Sequence, residues 1–249
     1  MENKYNDLLR SIEKLKKHFD GKYTYLPVAE EQDIINFEKK FNLKLPEDFR
    51  WVLLNVANGI VSSESHGWEL FGKIDFKAYL SKEKFWSNPS LPFLLTSKVN
   101  YDDLDEDERD YKDYLHGNIT LAGFGCGTAA MIIIKGEEYG NVWIEDLPSN
   151  NEIHPEVDDK KNKVRVKFHE WLEYRIDREI QYKLDMLRQE HQEKVNLAIA
   201  VAERNRFDSA SKRHAKEIRN DKIKRNVRTV FGWILGVLLD MFNKLCQVD

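Results

Sequence analysis

Residues 119–146 read ITLAGFGCGTAAMIIIKGEEYGNVWIED, and three short apolar runs inside them decide the fold class. Ile119–Leu121, Ala130–Lys135 and Asn141–Ile144 have strand character, and glycine-rich breaks separate them. The run Met131-Ile-Ile-Ile134 is β-branched and too short for a stable helix, so it reads as a buried central strand. Gly136-Glu-Glu-Tyr-Gly140 has the length of a hairpin turn, and Val142-Trp-Ile144 returns antiparallel beside the central strand. Gly123-Phe-Gly-Cys-Gly127 resembles a phosphate-binding loop in composition only. Such loops aim backbone N–H groups from a helix N-terminus, whereas here a strand follows, so the glycines predict a tight bend in the sheet.

Upstream of this meander the pattern is mostly helical. Tyr5, Leu8, Leu9, Ile12, Leu15 and Phe19 form one apolar stripe, which Asp20-Gly21 ends. Ile34, Phe37, Glu38 and Phe41 mark a second helix over 30–41. Leu45-Pro-Glu-Asp48 then starts a third, because proline in the first turn loses no hydrogen bond and acidic residues there complement the helix dipole. Glu47 and Asp48 are read as part of this helix start and not as catalytic groups. Gly67–Gly72 reads as an edge strand, Phe76–Leu80 as a short helix, Pro92–Val99 as another strand, and His154–Lys163 as a polar loop. The fold class is therefore α+β, an antiparallel sheet covered by helices.

From Val166 the pattern stays helical. Ile176, Ile180, Leu184, Leu187, His191, Val195, Ala198 and Ala202 recur in an eleven-residue rhythm, which suits a long, nearly straight helix. Two domains follow, 1–175 and a helical extension 176–249. Charge divides in the same place. The net charge of −4 combines an acidic head and a basic tail, and residues 204–228 hold ten Lys/Arg against three Asp/Glu. No uninterrupted apolar stretch at the N-terminus reads as a secretion signal, and no stretch of eighteen apolar residues reads as a membrane span. Cys126 and Cys246 lie too far apart in sequence for a disulfide framework or a metal motif, and free thiols fit a reducing cytoplasm. With glycines on both sides and no basic neighbour to activate it, Cys126 reads as structural.

Three motifs carry a family resemblance. The first is Gly125-Cys-Gly, the apolar strand and Lys135-Gly-Glu-Glu-Tyr-Gly-Asn-Val-Trp143 with an acidic turn after it. The second is Ile34-x-x-Phe-Glu-x-x-Phe-Asn-Leu-Lys-Leu-Pro-Glu-Asp-Phe49 running on to Asn58-Gly59, and the third is Phe168-x-x-Trp-Leu172. In this order, from Ile34 to Tyr174, they resemble bacterial members of the SUKH superfamily, named partly for a yeast cell-wall assembly regulator. The resemblance implies a protein-binding fold. It also implies an immunity protein that neutralises a cognate toxin, often a nuclease or deaminase, and it supplies no catalytic residue.

The most unusual feature is the run 102–110, in which seven of nine residues are acidic. Asp102, Asp103, Asp105, Glu106, Asp107 and Glu108 would complement the basic cleft of a nuclease toxin and speed its capture, against the bland reading of a solvated charge run. Calcium is excluded, because Glu108 stands where an EF-hand loop needs glycine and Tyr114 where it needs a bidentate glutamate. Glu145 and Asp146 are expected to face solvent at a strand end. In SUKH-like proteins that region lies beside the binding cleft, so the resemblance adds them as partner contacts.

Seven histidines are scattered singly with no zinc spacing, and no nucleophile motif is present. No catalytic residue, metal or cofactor is therefore predicted. In the tail, Phe231, Trp233, Ile234, Leu238 and Phe242 are candidates for contact with a membrane surface or with a second copy, and a hairpin partner for the long helix is the competing reading. Nucleic acid is not expected, since aromatics are nearly absent from the basic stretch. The predicted function is toxin neutralisation in the cytoplasm. The alternative is a regulatory scaffold or an adaptor at the inner face of the membrane, acting through the C-terminal helices.

Overall fold

The computed structural model describes residues 5–63, 69–81, 87–105, 111–146, 150–158 and 163–245. The chain divides into two units, Met1–Lys183 and Leu184–Asp249. In the first unit the opening helix α1 spans Asn6–His18 and buries Leu8, Ile12 and Leu15, the stripe seen in the sequence. Strand β1 (Tyr23–Tyr25) precedes α2 (Glu31–Phe41), which buries Ile34, Phe37 and Phe41. Asn42 ends α2 in the left-handed conformation, and the Leu43 N–H then bonds the Glu38 carbonyl. The Glu38 side chain is also buried. It accepts from the Leu45 N–H at 2.9 Å and from Lys44 Nζ at 3.0 Å, and so fixes the approach to α3 (Glu47–Asn55).

Strand β2 (Ile60–Ser62) pairs antiparallel with β1, and Ile60 bridges to Phe71. Beside it the buried Asn58 behaves like a strand residue made from a side chain. Its Nδ2 donates to the Ile74 carbonyl at 3.0 Å and its Oδ1 accepts from the Ile74 N–H at 3.1 Å. Of the expected strand Gly67–Gly72, Gly67 and Trp68 lie outside the described residues, and Phe71 pairs with Ile60 by that bridge. The short helix α4 covers Phe76–Ser81.

The main sheet has five strands, all antiparallel: β3 (Val99–Asn100), β4 (Asn118–Gly123), β5 (Ala129–Ile133), β6 (Val142–Asp146) and β7 (Glu152–Pro155). Their spatial order is β3-β7-β6-β5-β4. The meander expected around Met131–Ile134 is present, with β5 at its centre beside β4 and β6. One face carries Met131, Ile133, Trp143 and Ile153, packed with Phe93, Leu95 and Leu115. The alternate residues Ala130, Ile132 and Val142 face the other way and are buried as well. A sheet buried on both sides explains why its strands read as continuous apolar runs and not as alternating ones.

Two expectations are corrected. Pro92–Val99 does not form a strand along its length. Phe93 makes a single parallel bridge to Gly136, and strand pairing begins only at Val99. The segment covers the sheet instead of joining it, with the Phe93 ring 4.9 Å from Trp143 and Leu95 buried. It passes close to Gly117 and Gly136, where an added Cβ would stand 2.6 Å from the carbonyl oxygens of Leu91 and Phe93 respectively. The second correction concerns His154–Lys163, which is not all loop. His154 and Pro155 belong to β7, an interior strand of the sheet, and β8 (Val157–Asp158) and β9 (Val164–Arg165) form a small pair after it. Only Ile153 and Pro155 of β7 are buried, too short an alternation to show in the sequence.

The glycine-rich bend 123–127 joins β4 to β5, as its composition predicts. Gly125, Cys126 and Gly127 all have positive φ, and the Phe124 N–H bonds the Thr128 carbonyl. Cys126 is exposed at its tip, so it contributes nothing to the core. The short helix α5 covers Tyr101–Asp105, just after β3. The last helix is Phe168–Leu245, here α6, one unbroken helix of 78 residues. The first unit buries Phe168, Trp171, Leu172, Ile176 and Ile180 of α6. Because α6 runs without a break, 227–245 does not fold back as a hairpin on the long helix.

Candidate functional site

Sheet register determines which acidic residues meet. Val99 pairs with Ile153, which pairs with Glu145; Asn100 pairs with Glu152, which pairs with Asp146. The start of α5 and the end of β6 therefore share one end of the sheet, about 10 Å apart across two strand spacings. Asp102 and Asp103 are exposed in α5. The helix is held to the sheet by the Tyr101 N–H on the Asn151 carbonyl, 2.9 Å, and Asn100 Nδ2 bonds Asp103 Oδ2 at 3.4 Å. Asp105 ends α5 with its side chain outside the described residues, and Glu106, Asp107 and Glu108 lie outside them altogether.

Glu145 is only half-exposed, and burial pushes its carboxyl above the usual carboxylate range. Asp146 is buried, contrary to the solvent-facing position expected for it. It accepts from Thr128 Oγ1 at 2.9 Å and from Asn150 Nδ2, so it ties the residue before β5 to Asn150. The alternation that turns Glu145 one way turns Asp146 toward the opposite face.

A second feature was not legible in the sequence. A groove of about 510 Å³ is lined by residues that include Phe124, Ile144, His154, Trp171, Tyr174 and Arg175. The Arg175 guanidinium lies 4.5 Å from the Phe124 ring centre and 5.9 Å from that of Trp171, and donates from Nη2 to the Glu69 carbonyl at 3.0 Å. Burial pulls its pKa below the ordinary guanidinium value, with the nearby Glu179 opposing the shift. Arginine, tyrosine and tryptophan are the residue types enriched at the energetic hot spots of protein–protein interfaces. The one signal in the sequence was that Arg175 follows Trp171 by a single helical turn.

Elsewhere the polar groups that look chemical hold the fold together. Asp48, buried in the first turn of α3, accepts from the Phe49 N–H and from both the backbone N–H and Nδ1 of His169. An ionised carboxylate only accepts, so Nδ1 carries the proton. Glu138, in the turn before β6, accepts from Asn141, Trp143 Nε1 and Arg165. Among the described residues no group of His, Cys, Asp and Glu is arranged to hold a metal ion.

A model of the SMI1/KNR4 family (SUKH-1) matches residues 28–174, more than half of the chain. The chain belongs to the SMI1/KNR4 (SUKH-1) family. The resemblance read from Ile34 to Tyr174 lies wholly within that match. No curated protein matches the chain. In this SMI1/KNR4 domain the acidic sheet end falls inside the matched region, and so does the groove lining except Arg175, Arg178, Glu179 and Tyr182, which follow it on α6.

In the tail, Phe231, Trp233 and Ile234 are exposed, at 63%, 73% and 44% of their full area. The side chains of Leu238 and Phe242 lie outside the described residues. Among the described residues no helix is long and apolar enough to cross a membrane.

Proposed function

We propose that this SMI1/KNR4 domain is an immunity protein that binds a cognate bacterial toxin, a nuclease or another effector acting in the cytoplasm, and neutralises it by occlusion. Family membership supports a protein partner. The observation that carries the choice of surface is the register that brings α5 and Glu145 to one end of the sheet. A dense carboxylate surface steers a basic partner, raising its association rate by about tenfold to a thousandfold at low salt. Each carboxylate on the surface also competes with a phosphate for the toxin's basic cleft. Occlusion of this kind is stoichiometric and requires no catalytic group.

The test is reversal of Asp102, Asp103, Asp105, Glu106, Asp107 and Glu108 to lysine. Wild-type chain should capture a toxin from the native organism and abolish its activity at one-to-one stoichiometry, and the reversed chain should associate more slowly and protect less. Full protection by the reversed chain would refute the acidic contact. The geometry of Arg175 favours the aromatic groove as a second contact surface, and Arg175→Ala, a change at the groove wall, separates the two. The scaffold alternative rests on the exposed face of α6. Deletion of 227–249 with protection retained would set it aside.

A further inference from the structure

We propose that the face of α6 formed by Ile223, Val227, Val230, Phe231, Ile234 and Leu235 docks on an anionic lipid bilayer, with this part of the helix lying in the membrane interface. From Val227 onward these residues fall at i, i+3, i+4, i+7 and i+8, the spacing of one broad apolar face. All six are exposed, by 44–63%. Arg225, Thr229, Gly232 and Gly236 recur at i, i+4, i+7 and i+11 on the opposite side and are exposed too. Trp233, 73% exposed, stands at the edge of the apolar face, where an indole suits the boundary between headgroups and acyl chains.

Charge selects the occupant. Lys222, Lys224, Arg225 and Arg228 lie along the helix within two turns of Val227, in a stretch where Lys/Arg outnumber Asp/Glu ten to three over 204–228. Anionic headgroups complement that field. A second copy of the chain does not: a parallel pair would set the two basic stretches side by side. Toward the N-terminus the apolar face gives way to the basic stretch: heptad steps back from Val227 and Ile223 reach Asn220, Lys216 and Arg213. Among the described residues no helix is long and apolar enough to cross a membrane, and a basic, aromatic-edged apolar face of this kind seats in the interface. This inference concerns only the tail and does not depend on toxin binding.

The experiment uses the full chain with vesicles of equal parts phosphatidylglycerol and phosphatidylcholine, against vesicles of phosphatidylcholine alone. Wild type should sediment with the anionic vesicles at least about tenfold more strongly than with the neutral ones, and high salt should reduce the difference. Replacing Lys222, Lys224, Arg225 and Arg228 together by glutamine should remove the preference. Phe231→Glu with Ile234→Glu should abolish binding to both. Brominated lipid should quench tryptophan emission in wild type and leave Trp233→Phe largely unquenched. Circular dichroism of each variant checks that the helix is intact. Equal binding to both vesicles, no binding to either, or a lipid-independent dimer broken by the double glutamate variant would each overturn the proposal.

Discussion

Replacing Asp48 with alanine removes one acceptor from three donors at once. The Phe49 N–H, the His169 N–H and His169 Nδ1 approach it at 2.9, 3.1 and 3.0 Å. The carboxylate side chain is 10% exposed and that of His169 24%, so solvent does little to compensate. Removing one partner of such a buried pair costs about 3–5 kcal/mol. For a domain of this size each kcal/mol moves the midpoint by about 2–4 °C, so we expect Tm to fall by roughly 6–12 °C at the lower end of that cost. Near-ultraviolet circular dichroism gives the readout, because Tyr5 stacks on Trp51 at 4.1 Å and meets the His169 ring edge-on. The pH dependence is a second check. Burial alone would raise the Asp48 carboxyl, but the hydrogen bonds and charge from His169 outweigh it and hold it below the usual carboxylate range. A depressed carboxyl adds stability above its unfolded value of about 3.9, and that stability is lost as pH falls through the native value. Wild type should therefore lose more stability than Asp48→Ala on acidification below about pH 4. A cycle with His169→Ala should give a coupling of about 1.5–3 kcal/mol. A loss under about 1 kcal/mol for Asp48→Ala, or parallel pH profiles, would refute this account.

Two further expectations follow from close approach and from burial. Gly117→Ala should destabilise by more than about 2 kcal/mol, because its φ is +63° and the new Cβ would stand 2.6 Å from the Leu91 oxygen and 2.7 Å from that of Lys135. Gly21→Ala, at φ +71° with nothing within 4 Å, should show only the left-handed backbone penalty of about 1 kcal/mol, and equal chemical-denaturation midpoints for the two would contradict the steric reading. Glu145→Gln should stabilise the fold at neutral pH, with the gain fading as pH drops and the native carboxyl protonates, since burial raises the Glu145 pKa. A thermal midpoint at pH 7 unchanged or lowered by the substitution would mean that Glu145 is not penalised by its surroundings.

The parts of this fold legible in the sequence are those in which local pattern and final burial agree. The central strands read directly, because both their faces are covered and β-branched residues fill them. The stripes of α1 and α2 read from helical spacing. Pro92–Val99 misled because an apolar segment that covers a sheet has the same composition as one that joins it. Strand β7 stayed hidden because a four-residue strand containing His154-Pro155 carries too few alternations. Asp146 misled for a different reason: in a strand, one residue of register decides between solvent and core. The groove around Arg175 could not be read as a site. Beyond the one-turn spacing of Trp171 and Arg175, its members Phe124, Ile144 and His154 are brought to that pair only by the tertiary fold.

The two-residue strand β3 has a consequence for the order in which the acidic surface forms. Strands β4 to β7 follow one another in the chain, so their pairings are local and zip in sequence. Strand β3 precedes them all but joins at the far edge, on β7, closing a loop of about fifty residues that gains nothing until its partner exists. It is held there by two residue pairs, Val99 with Ile153 and Asn100 with Glu152. The face that bears Asp102 and Asp103 is thus mounted on the last strand to join and the first to open. Amides around Val99–Tyr101 should exchange with solvent through local opening, well before those of Met131–Ile133. The acidic edge can thus readjust while the meander beneath it stays folded.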